Sequence, residues 1–170
     1  MRTALALAVI GILATSCAAG GTPSSSSGRS AGRDVVPVTK VTDGDTIHVT
    51  FQGHDERVRL IGIDTPEVPW YGGRGECFGV EAGLFARSRL AGRSVRLEFD
   101  TDRRDRYGRL LAYVYVDGQL FNLALVRLGY ARADPVPPDI RLAQQFAKAE
   151  TEARSAGRGL WSACPLTEVD

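Results

Sequence analysis

Asp43-Gly44-Asp45-Thr46-Ile47-His48-Val49-Thr50-Phe51-Gln52-Gly53-His54-Asp55-Glu56-Arg57-Val58-Arg59-Leu60-Ile61-Gly62-Ile63-Asp64-Thr65-Pro66-Glu67 holds two apolar, β-branched runs joined by a short polar segment. Val, Ile and Thr favour strands. Gln52-Gly53-His54-Asp55 is a turn signal, so the two runs read as a hairpin. Each run carries acids at one end, and Arg59 interrupts the second. An arginine within an apolar strand is costly unless a carboxylate or phosphate meets it. Acids at the ends of neighbouring strands can converge on a hard cation, which prefers oxygen ligands. An EF-hand is excluded despite the Asp43/Asp45 spacing. Ile47 stands where a further oxygen ligand belongs, and no Glu occupies the twelfth position. Two acids for a metal, a third acid nearby and an arginine point to phosphate-ester chemistry.

Further along lie Asp105-Arg106-Tyr107-Gly108-Arg109, Ala112-Tyr113-Val114-Tyr115-Val116-Asp117-Gly118 and Asn122-Leu123-Ala124-Leu125-Val126-Arg127. Together with Asp43-Gly44-Asp45-Thr46, Arg59-Leu60 and Asp64-Thr65-Pro66-Glu67, in this order, they resemble the motifs of the staphylococcal nuclease (thermonuclease) family. The likeness runs from about Val35 to Trp161. It implies an α+β protein: an OB-fold, that is a five-stranded Greek-key β-barrel, with about three helices. Strands expected near 35–41, 45–51, 57–63, 94–99 and 110–116 agree with that number.

The resemblance also implies roles. Asp45 and Asp64 would bind Ca2+ by carboxylate and Thr65 by its backbone carbonyl, with Asp43 in support. Glu67 would orient or deprotonate the attacking water. Arg59 and Arg109 would clamp the scissile phosphate. Tyr107 and Arg106 would contact the nucleotide. The alternative for Arg59 is a salt bridge with Asp64 or Glu67. One departure stands out. The family carries two tyrosines, one residue apart, after the short helix, where they pack on the nucleotide. Here the matching stretch is Ala133-Asp134-Pro135-Val136-Pro137. Tyr130 lies earlier, and Trp70 or Tyr71 offers either a stacking surface or a cover for the core.

The chain has 170 residues, enough for one domain with a core and some tail. With 44% apolar and 24% charged residues it is no disordered protein. Its 21 basic and 20 acidic residues leave a net charge of +1, so composition alone argues for no polyanion partner.

Residues 1–17 read as a signal peptide: Arg2, an apolar run from Ala4 to Ala14, then a lipobox-like Leu13-Ala14-Thr15-Ser16-Cys17. Cys17 is the expected lipidation site; ordinary cleavage and free secretion is the rival. Residues 18–34 form a Gly/Ser-rich linker spanning about 20–25 Å. Residues 35–165 form the domain and 166–170 a tail. With Cys17 acylated, Cys77 and Cys164 are left to pair outside the cytoplasm.

Between the motifs, Gly79–Ala91 is expected to be a helix, with Val80, Leu84, Ala86 or Arg87, and Leu90 recurring near helical spacing. Phe121–Leu128 is a second helix. Ile140–Ser155 is a third, capped by Asp139 and facing the core with Leu142, Phe146, Ala149 and Ala153, with 133–139 a loop. The charged loop 100–109 would by default be a solvated loop.

The reading overall is an exported, monomeric, Ca2+-dependent nuclease acting on nucleic acid, with single-stranded DNA and RNA favoured, and touching a membrane only through Cys17. The rivals are a non-catalytic OB-fold module binding nucleic acid or peptide, and a surface lipoprotein with a structural role.

Overall fold

The structure, a computed structural model, describes residues 35–71 and 74–165. The expected signal peptide, lipidation site Cys17 and linker, the side chain of Tyr71 and the expected tail lie outside the described residues. The strands are β1 (Val35–Val41), β2 (Thr46–Phe51), β3 (His54–Leu60), β4 (Gly62–Asp64), β5 (Ser94–Glu98), β6 (Leu110–Val116), β7 (Gln119–Leu120) and β8 (Arg132–Asp134). The helices are α1 (Gly79–Leu90), α2 (Phe121–Leu128), α3 (Ala143–Ser155) and the short α4 (Leu160–Ala163).

Alternation along the strands decides the barrel. Ile47 and Val49 of β2, Val58 and Leu60 of β3, Val95 and Leu97 of β5, and Leu110, Ala112 and Val114 of β6 are all buried. Five strands in the order β3-β2-β1-β5-β6 curl until β3 meets β6. That closing pair is parallel, Val58 against Leu110 and Leu60 against Ala112; β1–β2, β2–β3, β1–β5 and β5–β6 are antiparallel. Closure removes the exposed strand edges. This is the five-stranded OB-fold barrel expected.

The β2–β3 turn is narrower than the sequence suggested. Gln52 and Gly53 alone make it, both at positive φ, and β3 begins at His54. Two consecutive left-handed residues match the twist of a two-residue hairpin. Asp117-Gly118 do the same between β6 and β7.

Three expectations need correction. Ala86 and Leu90 of α1 are buried, but Val80 and Leu84 are exposed, and Gly79, Ala82 and Gly83 complete the inner face. A Cβ at Gly79 or Gly83 would collide with its neighbours, so small residues let α1 lie close there. Asp139 does not cap α3, which starts at Ala143 with no side-chain cap. Its carboxylate accepts from the Asp102 backbone N–H at 2.9 Å and pins the 100–109 loop. Residues 133–139 are not wholly loop, because Arg132–Asp134 pair with Gly62–Asp64 as β8 against β4.

Asn122 locks α2 to the barrel. It is fully buried, accepts from Val114 N–H at 2.9 Å and donates to the Ile61 carbonyl at 2.9 Å. Phe146, Ala149 and Ala153 of α3 face inward as expected. A smaller apolar cluster of Ala153, Leu160, Trp161 and Cys164, with Cys77 and Phe78 against it, lies apart from the barrel core. Cys77 and Cys164 form a disulfide across a separation of 87 residues.

Candidate active site

The loop between β1 and β2 sets the first acids. The Asp43 carboxylate accepts from the backbone N–H groups of Asp45 (3.0 Å) and Thr46 (2.6 Å), an Asx turn that reverses the chain and sends Asp45 inward. Gly44 permits this, because a Cβ there would lie 2.7 Å from the Thr65 side chain. Asp45 is buried and accepts from Thr65 N–H at 2.8 Å and Thr65 Oγ1 at 3.0 Å. Arg59, near the end of β3, reaches between two acids. Its Nη2 donates to Asp64 at 2.9 Å and its Nη1 pairs with Asp45. The second Asp64 oxygen accepts from Arg132 Nη2 at 3.0 Å, a contact made by the Asp64–Arg132 register of β4 and β8.

Glu67 follows on the irregular segment before α1. Burial pushes its carboxyl above the ordinary range, and repulsion from Asp43, Glu76 and Asp64 adds to this; Arg59 opposes it. Asp43 is also pushed up by burial, against the hydrogen bonds of Thr46 and the charges of Arg59 and Arg109. The acids and both arginines thus lie within electrostatic reach of one another.

The 100–109 loop brings the second arginine. Asp105 accepts from the backbone N–H groups of Tyr107 (2.9 Å) and Arg109 (2.9 Å) and from Arg109 Nε (2.7 Å). Burial would raise Asp105, but these bonds outweigh it and hold the carboxyl below its ordinary range. Arg106 Nη2 donates to the Tyr107 hydroxyl at 2.7 Å. Arg103 stacks over Phe99 and Arg104 is held by Glu56, so those two serve the loop itself. Arg59, Arg106, Tyr107 and Arg109 line one groove of about 550 Å3 together with Asp134, Val136 and Pro137.

The sequence model of one protein family, described as Staphylococcal nuclease homologue, matches residues 57–163. A thermonuclease of Staphylococcus intermedius is 40% identical over 124 residues, 73% of this chain and 74% of that protein. One of Staphylococcus hyicus is 38% identical over 125 residues, 74% of each. The chain belongs to the staphylococcal nuclease family. The endonuclease YncB of Bacillus subtilis is also similar, 39% identical over 129 residues, 75% of this chain and 61% of that protein.

The staphylococcal nuclease residues expected from the sequence come together: Asp43, Asp45, Arg59, Asp64, Thr65 and Glu67 lie near one another, and Arg59 shares one groove with Arg106, Tyr107 and Arg109. Their chemistry fits a hard, oxygen-ligated cation: carboxylates meet at Arg59, with no thiol or imidazole among them. The site is no ready-made cage. Among the described residues no group of three or more Asp, Glu, His and Cys side chains could hold a metal ion by itself. An ion there would keep water or take further oxygens from substrate.

Four residues escaped sequence reasoning. Arg132 holds Asp64, Asp105 aims Arg109, Asn122 braces the β3–β6 seam and Glu76 binds the Glu67 backbone. Only Asp105 left a local signal, since an Asp two and four residues before the N–H groups it accepts suggests a turn.

Trp70 is not a stacking surface for a base. It packs on α1, under the Arg87 guanidinium at 4.4 Å and against Gly83. Tyr130 is also committed, stacked between Phe78 (5.5 Å) and Phe85 (4.3 Å). Where the family has its tyrosine pair, this groove presents Val136, Pro137 and Pro138.

Proposed function

We propose that this chain is an extracytoplasmic, Ca2+-dependent nuclease that hydrolyses DNA and RNA with little sequence specificity. Membership in the staphylococcal nuclease family makes it a nuclease, a phosphodiester hydrolase. What carries the finer reading is the juxtaposition of Arg59 and Arg109 on one groove beside Asp43, Asp45, Asp64 and Glu67. Export is supported by the signal-like residues 1–17 and by the disulfide, which persists in oxidising compartments. Anchoring through a lipid on Cys17 rests on the lipobox-like sequence alone.

Asp45 and Asp64 would hold Ca2+ by carboxylate and Thr65 by its carbonyl, with Asp43 in support. Bound there, the ion would neutralise charge and polarise a phosphoryl oxygen. The chain's own residues do the rest. Glu67 takes a proton from the attacking water at its carboxylate, a contribution of about 10²–10⁴-fold. Arg109, pre-aimed by Asp105, donates paired hydrogen bonds to the phosphoryl oxygens as their charge grows. Arg59 does the same once it leaves Asp45 and Asp64. Tyr107 and Arg106 contact the nucleotide. Val136 and Pro137 give the base an apolar but non-aromatic wall, so base stacking contributes little to affinity.

The test is cleavage of single-stranded DNA and RNA by the oxidised protein. The reading expects hydrolysis in Ca2+, none in chelator, and losses of about 10²–10⁴-fold in Glu67→Gln and about 10²-fold or more in Arg109→Ala. A folded protein that binds Ca2+ and nucleic acid without cleaving it would instead be the non-catalytic OB-fold module.

A further inference from the structure

Among the described residues between Asp64 and Gly79, where Glu67 sits, there is no strand or α-helix, so no ladder of hydrogen bonds holds its backbone. Glu76 does so instead. The Glu67 N–H donates to the Glu76 carboxylate at 3.0 Å, and the Glu76 N–H donates to the Glu67 carbonyl at 2.9 Å. Gly79, the first residue of α1, closes over the same carbonyl, where a Cβ would collide with it. The residue after Glu76 is Cys77, bonded to Cys164 in the small C-terminal apolar cluster.

The barrel strands close on one another by their own pairings. The segment around Glu67 lacks such pairings, and the bridge lies next to its contact at Glu76. Glu67, Glu76, Asp43 and Asp64 are like charges gathered at one place, and their repulsion favours moving the segment outward. The clasp holds Glu67 against that force, and the disulfide anchors the clasp.

We propose that Glu76 is a positioning residue for Glu67, and that the Cys77–Cys164 bridge makes this positioning, and with it hydrolysis, conditional on an oxidising environment. The hydrolytic half of the proposal rests on Glu67 acting as the base. Reduction is a two-electron step. A dithiol gives two electrons and two protons, the S–S bond becomes two thiols, and the dithiol closes to its own disulfide. A newly made chain in a reducing compartment would then be a poor nuclease until oxidised. A displacement of about 1 Å at a reacting group costs on the order of 10²-fold in rate.

The experiment compares the oxidised full chain with the same chain in excess dithiothreitol, with the Cys77→Ser/Cys164→Ser double variant, and with Glu76→Ala, Glu76→Gln and Glu67→Gln. Circular dichroism at low temperature confirms that each is folded. Reduction, the double variant and Glu76→Ala are expected to lower kcat by about 10- to 100-fold with little change in KM. Glu76→Gln, which keeps an oxygen to accept from Glu67, restores most of it.

Amide exchange reads the clasp without any activity. On reduction the Glu67 and Glu76 amides lose at least about tenfold protection while those of Leu60 and Val114 keep theirs. Unchanged kcat and unchanged Glu67 protection in folded, reduced protein overturn the proposal. If Glu67→Gln is as active as the parent, the base assignment fails and the hydrolytic half falls with it. The exchange data then judge the clasp alone.

Discussion

Replacing Arg59 by Ala separates the two jobs its guanidinium can do. In the folded protein it is 17% exposed and bridges Asp45, at 8%, and Asp64, at 38%. Removing one partner of a buried pair costs about 3–5 kcal/mol, because the other charge stays buried. Only the Asp45 half qualifies. Asp64 is more solvated and keeps Arg132, so its half contributes about 0–1 kcal/mol. Asp45 also keeps its bonds from Thr65, which places the expected loss near the lower limit, at about 3 kcal/mol. For a domain of this size that is about 10 °C in Tm. Urea unfolding followed by the fluorescence of Trp70 and Trp161 measures it. In chelator the variant should lose this amount. In Ca2+ the gap should narrow, because an ion binding Asp45 and Asp64 must displace Arg59 from the parent but finds the variant's carboxylates free; at 100 times Kd the ion stabilises by about 2.7 kcal/mol. A loss below about 1 kcal/mol in chelator, or a gap unmoved by Ca2+, would refute the reasoning.

Arg132→Gln should cost less than about 1 kcal/mol in the same assay, since it removes the more exposed cation from the same acid. Asn122→Ala should cost about 2–3 kcal/mol in urea unfolding, for it strands a buried Val114 N–H and the Ile61 carbonyl. The pH dependence of Glu67 has a definite sign. Its folded carboxyl is raised, so the native state holds its proton longer than the unfolded state. Its contribution to stability falls as pH rises from the ordinary carboxylate range through the raised value. Glu67→Gln should therefore be the more stable protein at neutral pH in chelator, by thermal unfolding, with the advantage vanishing in acid.

Local chemistry made most of the barrel legible. Alternating β-branched residues, the Gln52-Gly53 and Asp117-Gly118 turns and the apolar stripe of α3 act through neighbours a few residues away, and they carry their meaning in any context. The acids and arginines of the site were legible for a different reason. A motif in fixed order stands for a geometry that the residues alone would not define. The EF-hand comparison shows this, since Asp43 and Asp45 considered by spacing alone led nowhere.

Tertiary structure decided the rest, through contacts between segments far apart in the chain. Arg132 reaches Asp64 only because β8 pairs with β4 in that register. Val80 and Leu84 are exposed, while Gly79 and Gly83 lie on the inner face where α1 approaches its neighbours too closely for a larger side chain. Trp70, a candidate stacking surface in the linear reading, is consumed by Arg87 and Gly83, and Tyr130 by Phe78 and Phe85. Asp139, a plausible helix cap by position, binds the Asp102 backbone instead. In each instance burial and hydrogen-bond satisfaction across the fold outweigh a local preference worth about 1 kcal/mol or less.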